Sequence, residues 1–267
     1  VHIHYAYLGN IGSLGGFPYI LHCHGTDLRG ATPVTRPIIR KALRDARHVF
    51  YSTPDLESYV ARVRADGEFL PNPIDTTHFR PIVPARERPG VLICCGLTEV
   101  KGAGRLLAAC RQLAEERPDI RITAIGGGEY TAAFQALPNV IVVAHQPRWK
   151  LPGLINQHGV AVGQVRLGSA GMAELEAMAC GRPVITWFNE LHAYSEVPPY
   201  VTAVDGVEVA SAIKNLVDQP EMRDLLGARG RDWVARHHGL DPVVDRVEAV
   251  ARAIVDGEPI PAAVAAA

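Results

Sequence analysis

A turn of small residues leads into a predicted helix in the second half of the chain. Residues 168–171 read Gly-Ser-Ala-Gly, and apolar side chains at helical spacing then predict a helix that ends at Gly181, just before Pro183. The first backbone N–H groups of such a helix are unpaired and lie at the positive end of its dipole. They can bind an anion, so the turn predicts a phosphate site. The plain alternative is a loop whose glycines serve packing alone.

Two further turns with chemically useful side chains follow predicted strands. His24 comes after a strand over Pro18–Cys23, where a histidine can transfer a proton or hydrogen-bond a developing charge. We expect His22 to point to the other face of that strand. Lys101 lies in the loop Cys95–Gly102, where its charge can neutralise a diphosphate. The plain alternatives are a packed histidine and a solvated lysine.

Glycines and a polar loop follow the next two predicted strands. The run Ile125–Glu129 contains three consecutive glycines, and the loop Ala144–Trp149 follows another strand; each is a weak signal by itself. The sequence has no zinc-ligand spacing, no nucleophile elbow and no Walker lysine motif. We expect no metal in the site, because a lysine and a helix N-terminus can neutralise the phosphate charge.

Strands and helices alternate along the chain, which predicts an α/β protein with parallel sheets in two Rossmann-like domains. Gly9–Gly16 reads as a glycine-rich connection. Pro71–Pro89 holds five prolines and reads as an interdomain linker. We expect a partial first domain over 1–80, a ligand-binding domain over 81–240, and a helix and tail over 241–267 that return toward the first domain.

The composition is that of an ordinary soluble globular protein. The chain has 267 residues, 48% of them hydrophobic, and a formal net charge of −1. This balance gives no reason to expect nucleic acid or an anionic membrane as the main partner. No apolar run reaches membrane-spanning length, and the five cysteines suit a reducing compartment. Because Val1 lies inside an apolar strand-like run, we expect an N-terminally truncated chain.

The segment LEAMACGRPVI, residues 175–185, resembles the donor site of retaining glycosyltransferases of the GT-4 family, which have the GT-B fold. HGTD, PNPID, KG, GGG and the C-terminal helices occur in the family's order, so the resemblance covers nearly the whole chain. It implies a hexosyltransferase-type enzyme that moves a sugar from a nucleotide diphosphate to an acceptor hydroxyl, with the donor on the second domain. It implies no cofactor beyond this co-substrate.

The family signature is a pair of glutamates with seven residues between them. Glu176 matches the second, which implies contact with the ribose, whereas Gly168 stands in place of the first. Glu174 is a poor substitute for it, because Glu174 and Glu176 are two residues apart and point roughly 200° apart on a helix. Lys101 matches the family's lysine, but Leu97 occupies the position of its arginine.

The resemblance implies catalytic roles for His24, near the acceptor and the transferred sugar, and for Lys101. It implies these donor-binding residues: Gly96, Lys101, Gly126, Gly127, Gly128, Gln146, Pro147, Ser169, Ala170, Gly171, Met172 and Glu176. The acceptor is an unspecified sugar, lipid or small molecule.

We expect a cytoplasmic protein, with peripheral contact at the inner face of the membrane left open. Two alternatives remain: a non-catalytic nucleotide-sugar-binding protein, favoured by the missing glutamate, missing arginine and incomplete first domain, and a GT-B nucleotide-sugar epimerase. A Rossmann oxidoreductase is disfavoured because no dinucleotide fingerprint is present.

Overall fold

A computed structural model describes residues 1–262 of the protein. The chain divides into two compact units, one formed by residues 1–73 and 240–267 and the other by residues 74–239. Every ladder between the described strands is parallel, so the α/β prediction with two parallel sheets is confirmed. The predicted tail beyond residue 262 lies outside the described residues.

The first unit contains a four-stranded sheet in the order β1-β2-β3-β4. Its elements are β1 (His2–His4), α1 (Asn10–Gly15), β2 (Ile20–Cys23), α2 (Thr26–Arg29), α3 (Thr35–Asp45), β3 (His48–Tyr51), α4 (Glu57–Val60) and β4 (Glu68–Phe69). The expected connection over Gly9–Gly16 instead contains α1. Gly12 makes this helix fit, because a Cβ there would lie 2.4 Å from the ring of Tyr19.

The second unit contains a six-stranded sheet in the order β10-β9-β8-β5-β6-β7. Its elements are β5 (Val91–Ile93), α5 (Ala103–Glu116), β6 (Ile122–Ile125), α6 (Thr131–Gln135), β7 (Val140–Val143), α7 (Leu151–Asn156), β8 (Val160–Val162), α8 (Met172–Ala179), β9 (Val184–Thr186), β10 (Val201–Thr202), α9 (Gly206–Asp218) and α10 (Pro220–His238). The order reverses at β5, which pairs with β6 on one side and β8 on the other. In open α/β sheets such a switch point leaves a crevice at the carboxyl ends of the strands, where ligands bind.

The proline-rich segment Pro71–Pro89 is not a linker over most of its length. Ile74 and Phe79 are buried in the core of the second unit, and Ile74 forms a parallel bridge with Gly239. The buried guanidinium of Arg182 donates to the carbonyl of Val83, with 2.6 Å between nitrogen and oxygen. Proline enrichment here reflects an extended chain packed on the domain rather than a free connection.

The last helix, α11 (Leu240–Asp256), belongs to the first unit. Val243 and Val250 pack with Phe50 in the apolar layer on one face of the four-stranded sheet. Arg246 donates two hydrogen bonds of 2.6 Å to the carboxylate of Glu68, which also lies 3.0 Å from Nε2 of His48. A largely buried ion pair therefore ties the helix to the edge of the sheet.

Candidate functional site

The N-terminus of α8 follows β8 after the loop 163–171, which begins at the carboxyl edge of the switch point. Gly171 precedes the helix in an extended conformation, with φ −94° and ψ 167°. A Cβ at Gly171 would lie 2.5 Å from a carboxylate oxygen of Glu174, so a larger residue here would have to displace that carboxylate. The helix then ends in a Schellman motif: Gly181 has φ 69°, its N–H donates to Met178, and the N–H of Arg182 donates to Ala177.

Gln164 holds the loop between β8 and α8 in shape. It is fully buried, and its amide donates to the carbonyls of Ser169 (3.0 Å) and Trp187 (2.8 Å). Its side-chain oxygen accepts from the N–H of Arg166 at 2.8 Å. Gln164 is not among the residues predicted from the sequence. The sequence feature that could have indicated it is a polar residue two positions after a fully buried strand. A buried loop there needs side-chain hydrogen bonds for its backbone N–H and C=O groups.

Glu174 is a structural residue of this loop. Its buried carboxylate accepts the N–H of Gln164 at 2.7 Å and packs against Gly163. The side chain therefore turns back toward β8, which agrees with the expectation that it does not replace the first signature glutamate.

The backbone conformation at position 168 favours glycine, which has no side chain and therefore no carboxylate. Its φ of 76° is left-handed, and a Cβ there would lie 2.3 Å from Oδ1 of Asn189. The carbonyl of Gly168 accepts the N–H of Asn189 at 2.9 Å. A glutamate at position 168 would therefore be strained in this loop, because an L residue is unfavourable at this φ. The loop differs from the family signature in its backbone conformation as well as in the missing side chain.

Glu176 faces a pocket of about 320 Å³ in the second unit. The lining residues are Cys94, Gly96, Ile125, Gly126, Gly127, His145, Leu151, Ile155, Met172, Ala173 and Glu176. Glu176 is 5% exposed, and its Oε1 accepts a hydrogen bond of 2.9 Å from Nε of Arg148. Burial raises the pKa of the Glu176 carboxyl, although the Arg148 guanidinium opposes that shift. The pocket therefore offers one buried acidic acceptor in a mainly apolar wall.

Five of the predicted donor-binding residues line this pocket together: Gly96, Gly126, Gly127, Met172 and Glu176. Lys101, Gly128, Gln146, Pro147, Ser169, Ala170 and Gly171 do not line it. Gly128 has a structural reason to be glycine, since its φ is 122° and a Cβ would lie 2.3 Å from the carbonyl oxygen of Leu97. His145 and Leu151 line the pocket without having been predicted.

Lys101 lies in the loop after β5, beside the loop after β8. Its carbonyl accepts the N–H of Val165 at 3.0 Å, which joins the two loops at the switch point. Within residues 1–262, the Lys101 ammonium forms no ion pair with a carboxylate. Leu97, at the position of the family arginine, is completely buried in the core. Arg166 pairs with Glu99 in the same region.

His24 lies in the first unit, immediately after β2. Its ring Nε2 is 2.7 Å from Nδ1 of His4, and its backbone N–H donates a hydrogen bond of 3.1 Å to the carboxylate of Asp27. The other Asp27 oxygen accepts the N–H of Ala6 at 2.7 Å. Burial lowers the pKa of His24, and His4 lowers it further, whereas Asp27 opposes this shift. Asp27 thus fixes the turn that presents His24.

The expectation for His22 is wrong. The His22 and His24 rings stack with centroids 4.5 Å apart, since residues two positions apart on a strand share a face. Burial and the neighbouring histidines lower the pKa of His22 to about 2. Burial likewise lowers the pKa of His2 to about 4. Both rings are therefore neutral near pH 7.

The five cysteines are all buried and free, as expected for reduced core cysteines. Among residues 1–262, no helix combines the length and apolarity needed to cross a bilayer.

The chain that forms this pocket is similar in sequence and in fold to known glycosyltransferases. Residues 75–233 match the family described as "Glycosyl transferases group 1". A GDP-mannose-dependent alpha-(1-6)-phosphatidylinositol monomannoside mannosyltransferase of Mycolicibacterium smegmatis is 28% identical over 237 residues, covering 75% of this chain and 61% of the relative. A similarly named mannosyltransferase of Corynebacterium glutamicum, acting on the monoacylated form, is 27% identical over 194 residues, with 62% and 51% covered. The chain thus spans 51–64% of the length of the curated relatives.

Solved structures share the fold. The sucrose-phosphate synthase of Thermosynechococcus elongatus superposes with a TM-score of 0.78 at 19% identity, covering 96% of this chain and 74% of that one. HepE of Anabaena in complex with UDP superposes with a TM-score of 0.76 at 14% identity, covering 96% and 78%.

Proposed function

This chain belongs to the glycosyl transferases group 1 family, and we propose that the protein transfers a sugar from a nucleotide diphosphate to an acceptor hydroxyl. The observation that carries the proposal is the pocket at the switch point. It combines the N-terminus of α8 with the buried carboxylate of Glu176 and the glycine turn after β6. Backbone donors suit phosphate, and a buried carboxylate suits hydroxyl groups.

Glu176 accepts hydrogen bonds from the ribose hydroxyls in this proposal. One of its oxygens already accepts from Arg148, and the other has no hydrogen bond from any described residue. A carboxylate can accept several hydrogen bonds at once, so Arg148 need not leave when the nucleotide binds. The apolar residues Ile125, Leu151 and Ile155 would pack against the base.

The diphosphate lies against the backbone N–H groups of Ala170–Met172 and the ammonium of Lys101. During transfer, the bond between the anomeric carbon and the diphosphate oxygen breaks, and negative charge grows on that oxygen. The acceptor oxygen forms the new bond to the anomeric carbon, and its proton passes to the departing diphosphate oxygen. Fixed positive groups stabilise the leaving diphosphate, which we infer to be the largest contribution to catalysis.

His24 acts on the acceptor side or on the transferred sugar. Its ring is neutral at physiological pH and is oriented by His4 and by the Asp27 turn. We expect His24→Ala to retain nucleotide affinity and lose at least about a hundredfold in turnover. Normal turnover of the folded variant would remove His24 from the reaction.

The donor proposed for the first test is GDP-mannose, because the names of all four curated relatives specify it. Those names also specify a phosphatidylinositol monomannoside, which supports a lipid-linked sugar hydroxyl as acceptor and peripheral contact with a membrane. We propose that the protein is cytoplasmic and makes this contact at the inner face of the membrane. Transfer to a mannosylated lipid in mixed micelles should exceed transfer to soluble methyl mannoside. Equal transfer to both would argue against a lipid acceptor.

A thermal-shift panel of UDP, GDP, ADP and TDP tests the donor site. A nucleotide at about 100 times its dissociation constant stabilises by about 2.7 kcal/mol, which raises the Tm of a chain of this size by several degrees. Glu176→Ala should lose the shift, whereas Glu115→Ala, an exposed glutamate on α5, should keep it. No shift from any nucleotide would refute the donor site.

Product analysis separates the alternatives. Binding without turnover would indicate a non-catalytic protein, and conversion of the nucleotide sugar without an acceptor would indicate an epimerase. The names of the curated relatives favour the transferase.

A further inference from the structure

Three histidines from two adjacent strands meet on one face of the first unit's sheet. His2 and His4 are two positions apart on β1, and His22 on β2 lies in register with His4. One potential ligand atom from each of the three lies within 4.8 Å of the others. Their rings also pack against one another: the His2 and His4 rings are tilted with centroids 4.5 Å apart, and the His4 and His22 rings stack at 5.3 Å.

The ring nitrogens of this cluster are poorly satisfied. Nε2 of His2 and both ring nitrogens of His22 are buried, and none of them forms a hydrogen bond of normal geometry within residues 1–262; a backbone interaction with Leu70 is the weak contact of the His22 ring. Buried polar atoms without partners are rare in folded proteins because their desolvation is not repaid. Stacking of the rings does not satisfy these atoms, so the arrangement needs another partner.

We propose that His2, His4 and His22 bind a transition-metal dication, with Zn²⁺ as the reference ion. Neutral imidazole is a preferred ligand of Zn²⁺, Co²⁺, Ni²⁺ and Cu²⁺, whereas Mg²⁺ and Ca²⁺ prefer oxygen ligands. No carboxylate or thiol belongs to the cluster within the described chain. The three histidines belong to the first unit, whereas the residues that line the nucleotide pocket belong to the second.

The geometry requires only a small contraction. Three nitrogens on a tetrahedral Zn²⁺, at about 2.0–2.1 Å from it, lie about 3.3 Å from one another. His4 is exposed and His2 is half-buried, so their rings can rotate toward the fixed ring of His22. His24 sits against Nδ1 of His4 at 2.7 Å, in the position of an outer group that orients a metal ligand.

Metal binding to the chain without a polyhistidine tag tests the proposal. The protein is dialysed against EDTA and then titrated with ZnCl₂ against a chromophoric chelator at pH 7.5. We expect one equivalent of tight binding, a rise in Tm on adding Zn²⁺, and visible absorption typical of tetrahedral coordination with CoCl₂. His4→Gln and His2→Gln should each weaken Zn²⁺ binding by at least about tenfold.

The matched control is His192→Gln, because His192 is an exposed histidine of the other unit. It should bind Zn²⁺ as the wild type does. Circular dichroism establishes that each variant is folded, which matters most for a His22→Ala variant at a buried position. Zn²⁺ affinity that is unchanged by His4→Gln, or equally weakened by His192→Gln, would overturn the proposal, as would the absence of stoichiometric binding.

Discussion

Replacing Glu176 by glutamine tests the role assigned to the buried carboxylate. The change keeps the shape of the side chain and one acceptor oxygen but removes the charge. Hydrogen bonds to charged groups contribute about 1.5–3 kcal/mol, so losing the charge should cost about 2 kcal/mol of nucleotide binding, or roughly a thirtyfold rise in Kd. Glu115→Gln on the exposed face of α5 serves as the control.

The unliganded fold should barely change in Glu176→Gln. The lost partner, Arg148, has a side chain that is 58% exposed, so solvent screens the pair and its net contribution is below about 1 kcal/mol. The variant also removes the buried charge of Glu176, whose desolvation is unfavourable, and this offsets part of the lost stability. Weaker binding with an unchanged urea midpoint therefore separates a binding role from unfolding.

Isothermal titration calorimetry with the nucleotide selected by the thermal-shift panel, and with its 2′-deoxy form, locates the contact. In the wild type, removing the ribose 2′-hydroxyl should raise the Kd about tenfold. In Glu176→Gln the same removal should raise the Kd much less, because the carboxylate that accepts from this hydroxyl has already been replaced. An equal penalty in both proteins would show that Glu176 does not contact the ribose hydroxyl.

The same variant predicts a pH dependence. Since burial raises the pKa of Glu176 above its ordinary value of 4.5, the carboxylate is protonated at a higher pH than an exposed glutamate. Wild-type nucleotide affinity should therefore fall on acidification before pH 4.5 is reached. Glu176→Gln should lack this loss of affinity. Titration of the nucleotide phosphate affects both proteins equally, so it cancels when their pH profiles are compared. Parallel pH profiles would contradict the reasoning.

Three other perturbations have defined outcomes. Lys101→Ala should weaken nucleoside diphosphate binding about tenfold and monophosphate binding less, with Lys41→Ala unchanged in calorimetry; equal losses for both nucleotides would remove Lys101 from the diphosphate. Gly168→Ala should lower the free energy of unfolding by about 1–2 kcal/mol because of its positive φ, whereas Gly153→Ala, with open space around it, should not; a neutral Gly168→Ala would deny the strain. Glu68→Gln should cost about 3 kcal/mol at pH 7 in urea unfolding. Burial alone would raise the pKa of Glu68, but the hydrogen bonds from Arg246 and His48 outweigh it and lower the pKa below 4.5. The wild type should therefore lose this stability as the pH falls below about 4.5, and a difference that persists in acid would be inconsistent with the ion pair.

The fold could be predicted from the sequence because its signals are local. The strand predicted over Pro18–Cys23 is observed as β2 (Ile20–Cys23), since strand signals depend on residues close in the chain. The end of α8 was also predictable, because Gly181 supplies the positive φ that its C-terminal turn requires. Parallel pairing of alternating strands then places the ends of β5, β6 and β8 at one edge.

The partners of the site residues depend on tertiary structure. Arg148 reaches Glu176 across 28 positions in sequence, and Gln164 reaches Trp187 across 23. No periodicity encodes such pairs, because long side chains on loops find their partners only after the strands have been brought together. The sequence by itself therefore determined the parallel α/β frame and the glutamate of the pocket. Only the tertiary structure decided that Ile74 and Phe79 pack into the second unit, that Glu174 turns away from the pocket, and that His2, His4 and His22 converge, since each depends on contacts between segments far apart in the chain.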